Sequence, residues 1–154
     1  DYSLVEEARF AREVLEVAIL DLVCAQITQA DIAQLRQNVR LQTLTQEPGV
    51  GDSLSLMELD DAFHQMLIRI AKAENIYNML CSMTIHFDRV RNLALNVVKD
   101  IKIIEDHQQI CEAVAMRDAA RAKAVMTQHL GRVKVDEEAI RSIYPQYIKA
   151  QTKG

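Results

Sequence analysis

The chain has no tryptophan, three phenylalanines and four tyrosines, so aromatic packing can carry little of any core. Four glycines and two prolines in 154 residues leave few chain-breakers. That shortage removes the turn-rich signature of a sandwich or barrel and leaves room for long helices. The three cysteines, Cys24, Cys81 and Cys111, are odd in number and show no CxxC spacing, which argues against a disulfide scaffold. Cys81 and Cys111 lie among apolar residues, where a free thiol behaves as a small hydrophobe, and a reducing cytoplasm is the expected compartment. No apolar run approaches the length of a membrane span and no signal peptide is recognisable, so no membrane association is expected. Positive charge is also short. Eighteen Lys and Arg against 22 Asp and Glu give a formal charge of −4 and a pI near 5.6, so the chain as a whole has no general attraction for nucleic acid.

What is present is 49% hydrophobic and 26% charged, a globular mix, and the length suits one domain spanning residues 1–154. A chain of this size buries roughly two-thirds of its unfolded surface, so it needs no covalent staple. Helical spacing of Val14, Leu15, Ala18, Ile19, Leu22 and Val23 predicts a first helix from about Tyr2 to Ile27. Thr28 with Asp31 opens a second, reaching about Leu44, and the breaker-dense stretch from Gln46 to Asp52 is the clearest loop. Ser55 with Glu58 reads as a capping box for a third helix ending near Glu74-Asn75. A fourth is expected over about Ile76 to Val98 and a fifth over about Ile101 to Met116. With Asp118 as N-cap, the last runs from about Ala119 to Ile143, ahead of Pro145. No segment reads as a strand. Short connections imply antiparallel neighbours, so the expected fold is an all-α antiparallel bundle of about six helices.

The informative residues are polar ones on apolar faces. Asp60 and His64 fall on the stripe Leu56, Phe63, Leu67, Ala71; His107 falls within Ile103, Ile104, Ile110, Cys111 and Val114; His129 lies among Ala122, Val125, Met126 and Val133. His86 lies along Met79, Met83, Val90, Leu93 and Val97. A single core-facing histidine is usually a hydrogen-bonded structural residue. A buried aspartate is harder to explain that way, because an ionised carboxylate in an apolar interior requires a cation or several hydrogen bonds. Asp60 and His64 stand one turn apart and can reach one point, on which imidazoles from two other helices could close. One carboxylate and three neutral imidazoles suit zinc, nickel or manganese better than calcium. Periodicity shows only that these side chains face inward; it does not show that they converge.

Asp60-Asp61-Ala62-Phe63-His64 resembles the D-x-x-F-H signature of the FCD domain, the effector domain of one subfamily of GntR-type bacterial transcription regulators. Asn75 continues the pattern, Glu105 to Ile110 resembles the acidic-His-x-x-Ile segment, Ala113 to Asp118 the Ala-to-Asp turn, and His129 the closing histidine. Arg12-Glu13-Val14-Leu15-Glu16 looks like the R-x-x-L-E opening. The resemblance covers about Arg12 to His129. It implies a divalent metal, zinc foremost, on Asp60, His64, His107 and His129, with open coordination positions facing a cavity for a small carboxylate or hydroxy-carboxylate. It further implies effector contacts from Arg12, whose planar fork suits a carboxylate, and from the fourth helix. Family members commonly carry an arginine there near the place of His86, with Arg89 and Arg91 close behind, so His86 and Arg89 are the candidates. A homodimer is also implied. The family's winged helix-turn-helix is not found in this sequence, so DNA contact is expected only through a separate N-terminal domain.

Two other readings compete with a sensor. Arg12 and Glu16 could be an exposed i, i+4 pair and the histidines ordinary core residues of a structural domain. A metal-dependent hydrolase or lyase is disfavoured because no further core carboxylate is evident as a general base. Asp61 to His64 is the only carboxylate-x-x-His match, and P-loops, nucleophile elbows and dinucleotide fingerprints are missing. No enzymatic activity is expected.

Overall fold

A computed structural model of the chain describes residues 2–49, 54–83 and 101–143. Among these residues there are seven helical segments and no strand: α1 Tyr2–Ala18, α2 Leu20–Gln26, α3 Gln29–Leu44, α4 Leu56–Ile70, α5 Glu74–Met83, α6 Ile101–Ala115 and α7 Ala119–Ile143. None is long and apolar enough to cross a membrane. The fold is all-α, as the composition and periodicity imply.

The expected first helix is interrupted at one residue. Ile19 keeps right-handed helical angles (φ −67°, ψ −18°), and the bonds from Ile19 N to Leu15 O (3.0 Å) and from Val23 N to Ile19 O (2.9 Å) run through it. The chain truly leaves the helix at Ile27 (φ −55°, ψ 132°). Thr28 then caps α3: its hydroxyl accepts from Asp31 N at 3.2 Å, while the Asp31 carboxylate accepts from Thr28 N at 2.9 Å. At α4 the first half of the expected box is made, Ser55 Oγ accepting from Glu58 N at 3.2 Å.

The third predicted helix ends earlier than its apolar pattern suggested. α4 stops at Ile70 because Lys72 adopts the left-handed region (φ 57°) and closes a Schellman turn, with Ala73 N bonded to Ile68 O and Lys72 N to Arg69 O. α6 ends in the same way around Arg117 (φ 57°), with Asp118 N bonded to Ala113 O and Arg117 N to Val114 O. Neither stop carries a glycine, which is why sequence alone misplaced the first. Arg117 has a second task. Its guanidinium donates to Cys24 O (2.6 Å), Ala25 O (2.9 Å) and Ile27 O (2.9 Å), placing a cation at the negative end of α2.

α6 and α7, joined by three residues, pack along each other; α3 packs on α4 and α6, and α1 on α7. The core between them contains Leu20, Val23, Leu35, Phe63, Leu67, Ile68, Ile110, Val114, Ala122 and Met126, all fully or almost fully buried. Two expected apolar stripes are only partly buried: Ile19 and Val23 are interior and Leu15 packs against the core, but other members are not. Val14, Ala18 and Leu22 are exposed, and the buried face of α1 instead runs through Ala8, Arg12 and Glu16. On α5 the buried residue is Leu80, and Met79 is 73% exposed. His86, Arg89, Arg91 and the remainder of the predicted fourth helix lie outside the described residues, as does Pro145.

Candidate functional site

Four polar side chains meet inside this core. Asp60 and His64 project from α4, His107 from α6 and His129 from α7, and all four are buried. Each offers one ligand atom, and no two of these atoms are more than 4.8 Å apart. The Nε2 atoms of His64 and His129 are 3.1 Å apart, as are those of His107 and His129. Asp60 Oδ1 lies 3.4 Å from His107 Nε2 and 3.8 Å from His64 Nε2. Two nitrogens bound to one zinc-sized ion at about 2.0–2.1 Å would stand about 2.9–3.4 Å apart at tetrahedral or octahedral angles. The convergence that periodicity could not establish is therefore present at close to coordination spacing.

The opposite side of each ring explains its orientation. His107 Nδ1 stands 2.7 Å from Gln42 Oε1, while Gln42 Nε2 donates to Asn38 Oδ1 (2.7 Å) and Asn38 Nδ2 to Leu59 O (3.0 Å). That chain of amides leaves Gln42 only its carbonyl to face the ring, so the proton of neutral His107 sits on Nδ1 and the lone pair on Nε2. His64 Nδ1 is hydrogen-bonded to the Glu16 carboxylate, which again fixes the proton on Nδ1. Asp106 Oδ2 stands 3.6 Å from His129 Nδ1, a charge-pair separation rather than a hydrogen bond, and favours N–H on that side too. Arg132 grips the same carboxylate through Nε (2.5 Å) and Nη2 (3.0 Å). The lone pairs of His64 and His107 Nε2 thus face His129 Nε2 beside a carboxylate oxygen. With the His129 proton on Nδ1, toward Asp106, all three nitrogens are bare and repel at 3.1 Å, and a cation between them reverses the sign.

The electrostatics agree with this assignment. Burial, followed by the neighbouring His129, holds His107 well below the ordinary histidine pKa; burial lowers His129 as well, against the opposing pull of Asp106. Both imidazoles are therefore neutral at pH 7 and ready to act as ligands. Burial would raise Glu16, but the Arg12 guanidinium and His64 outweigh it and bring the carboxyl down to about 2. Burial opposes the Arg12 charge, and Glu16 and Asp60 more than restore it. Around the centre the buried carboxylates of Asp60, Glu16 and Asp106 face the guanidiniums of Arg12 and Arg132, leaving net negative charge where a divalent cation would sit.

The predicted ligand set is thus brought together whole. Arg12 lies beside it, 5% exposed and bonded through Nε to Glu16. The i, i+4 pair weighed as an exposed alternative does form, but in the interior. One further expectation is corrected: no further core carboxylate was evident as a general base in the sequence, yet Glu16 and Asp106 are both buried carboxylates. Gln42 was missed as well. Glu16 shares a helical face with Ala8, Arg12, Leu20 and Val23, a signal obscured because Arg12 on that face is charged as well as Glu16 itself.

The site can hold a divalent ion with one oxygen and three nitrogen ligands. Four protein ligands close a tetrahedral shell, whereas an octahedral one keeps two positions for another molecule.

A family model described as the FCD domain matches residues 7–132. The chain is 34% identical over 150 residues to an uncharacterized HTH-type transcriptional regulator in an unstable DNA locus of Streptomyces ambofaciens, covering 95% of this chain and 61% of that protein. It is 30% identical over 140 residues to the HTH-type transcriptional repressor RspR of Escherichia coli, covering 90% and 59%, and equally to the HTH-type transcriptional regulator YdfH of Shigella flexneri. The chain spans about three-fifths of the length of these curated relatives.

Proposed function

The chain belongs to the FCD domain family, and from that premise we propose that it is the ligand-sensing domain of a GntR-type transcription regulator. In this reading Asp60, His64, His107 and His129 hold one divalent metal, zinc first and nickel or manganese next. A small carboxylate or hydroxy-carboxylate occupies the remaining coordination, with Arg12, His86 and Arg89 as candidate effector contacts. The occupied state then changes DNA binding by a separate helix-turn-helix domain of a cytoplasmic homodimer.

The observation that carries the reading is the meeting of three imidazole nitrogens and Asp60 Oδ1 in the buried core. A purely structural role for these residues would need the His129 proton on Nε2, donated to a neighbouring ring, and would leave a bare Nδ1 facing the Asp106 carboxylate. A regulatory role, rather than a catalytic one, is supported by the relatives, which are named as HTH-type transcriptional regulators and a repressor.

Two measurements test it. Elemental analysis after exhaustive dialysis should find one divalent ion per chain. Calorimetric screening of hydroxy acids should find binding to the metal-loaded form that is lost or much weakened in the metal-free form. No stoichiometric metal, in protein that also takes none up, removes the reading. Equal affinity of an acid for both forms removes the metal from the binding step.

A further inference from the structure

We propose that Glu16 is a positioning residue of the metal centre, acting on the ion through the imidazole of His64. The proposal rests on the metal reading above. Glu16 comes from α1, which contributes none of the four ligands, yet its carboxylate is 1% exposed and reaches the back of a ligand ring on α4. One carboxylate oxygen accepts from His64 Nδ1 and the other from Arg12 Nε. A carboxylate behind a ligating imidazole fixes the tautomer, pins the ring plane and strengthens donation from the opposite nitrogen.

The three rings are not backed equally. His107 faces the neutral amide of Gln42, and the carboxylate behind His129 stands 3.6 Å off and is already gripped by Arg132. Only His64 has a buried carboxylate in direct hydrogen-bond contact. Arg12 serves this arrangement by holding the second oxygen, so that the carboxylate cannot rotate away from the ring, and by keeping its charge tolerable in the interior. Glu16 therefore sets the donor strength and aim of His64 and binds α1 into a centre to which it gives no ligand.

Cobalt(II) titration of the 154-residue chain decides this, read as a dissociation constant and as the visible ligand-field absorption of the bound ion. The variants are Glu16→Gln, which keeps the size and removes the charge, and Arg12→Gln/Glu16→Gln, which removes both members of the buried pair and leaves no stranded guanidinium should the single variant fail to fold. Whichever variant keeps the helical circular dichroism of the parent should bind cobalt about 10- to 100-fold more weakly. It should also show shifted bands, which a merely structural loss would not produce. Unchanged affinity and bands in a folded variant overturn the assignment while the metal centre stands. If the parent chain takes up no cobalt, the metal reading falls, and this proposal with it.

Discussion

Gln42 Oε1 accepts a hydrogen bond from His107 Nδ1 at 2.7 Å inside the core, and Gln42 is itself held by Asn38. A neutral amide thereby dictates which nitrogen of His107 carries the lone pair, without adding charge to the site. Replacing Gln42 by Met preserves bulk and removes the acceptor. The metal-free protein should lose about 1–3 kcal/mol, the cost of a stranded buried donor. Metal affinity should fall about 10- to 100-fold as the ring loses its orientation. Denaturant melts in chelator and metal titration of Gln42→Met measure the two effects separately, and a variant with parental metal affinity contradicts the second.

Metal should stabilise the whole bundle, because ligands from α4, α6 and α7 are gathered only in the folded state. At free metal about 1,000-fold above its dissociation constant the gain is about 4 kcal/mol, which for a domain of this size raises Tm by about 8–16 °C. Chelation should reverse that shift, and His107→Ala should make Tm indifferent to chelator. The sign with pH follows from ligand protonation. Burial keeps His107 and His129 below the ordinary histidine value, so bound metal should persist below the pH range in which a free histidine protonates and be lost on further acidification. An identical melting curve with and without metal, its removal verified, counts against the site.

How much of this was legible beforehand depended on the contrast between a residue and its neighbours. Asp60, His64, His107 and His129 stood out because each interrupts a stripe of Leu, Ile, Val, Phe or Met that the structure buries. Arg12 and Glu16 did not stand out as interior residues, because two charges at i, i+4 on an N-terminal helix look the same whether a bundle or water faces them. Gln42 was silent for a related reason: an amide in a Gln-rich helix is unremarkable until its partner on another helix is known. The helix stop at Lys72 was hidden because backbone geometry, and no glycine, makes the turn, whereas the stop at Arg117 was legible from Asp118, the N-cap of the helix that follows.

Those two stops lead to opposite expectations. Lys72 is exposed, and no hydrogen bond of its side chain appears among the described contacts, so the left-handed φ of 57° is chiefly a cost. Lys72→Gly should raise stability by about 0.5–1 kcal/mol, the relief of left-handed strain less the added chain entropy of glycine. Arg117→Gly relieves the same strain but removes three bonds to the α2 carbonyls, and should lower stability by about 1–2 kcal/mol. Urea denaturation of the two variants reads the difference in sign, and stabilisation by both would show that the Arg117 bonds contribute nothing.

The last expectation concerns the separation of sensing from DNA binding. Phosphate contacts need a cluster of Lys and Arg, and this chain has formal charge −4, with Arg12 and Arg132 committed to buried carboxylates. The isolated 154-residue chain should therefore leave operator DNA unshifted even at concentrations of about 100 µM, where many proteins bind non-specifically. A full-length protein carrying the helix-turn-helix should bind the operator and change affinity when the small acid is added. That coupling is reciprocal: an acid that alters DNA affinity by some factor must have its own affinity altered by DNA to the same extent. Asp60→Asn removes the one charged ligand of the centre while keeping its size, so it should spare DNA affinity without acid and abolish the response. Anisotropy titrations of full-length protein and of Asp60→Asn on labelled operator, each with and without acid and metal, supply the four affinities required. A variant that still responds by the full factor locates the sensor away from Asp60, whatever metal the domain holds.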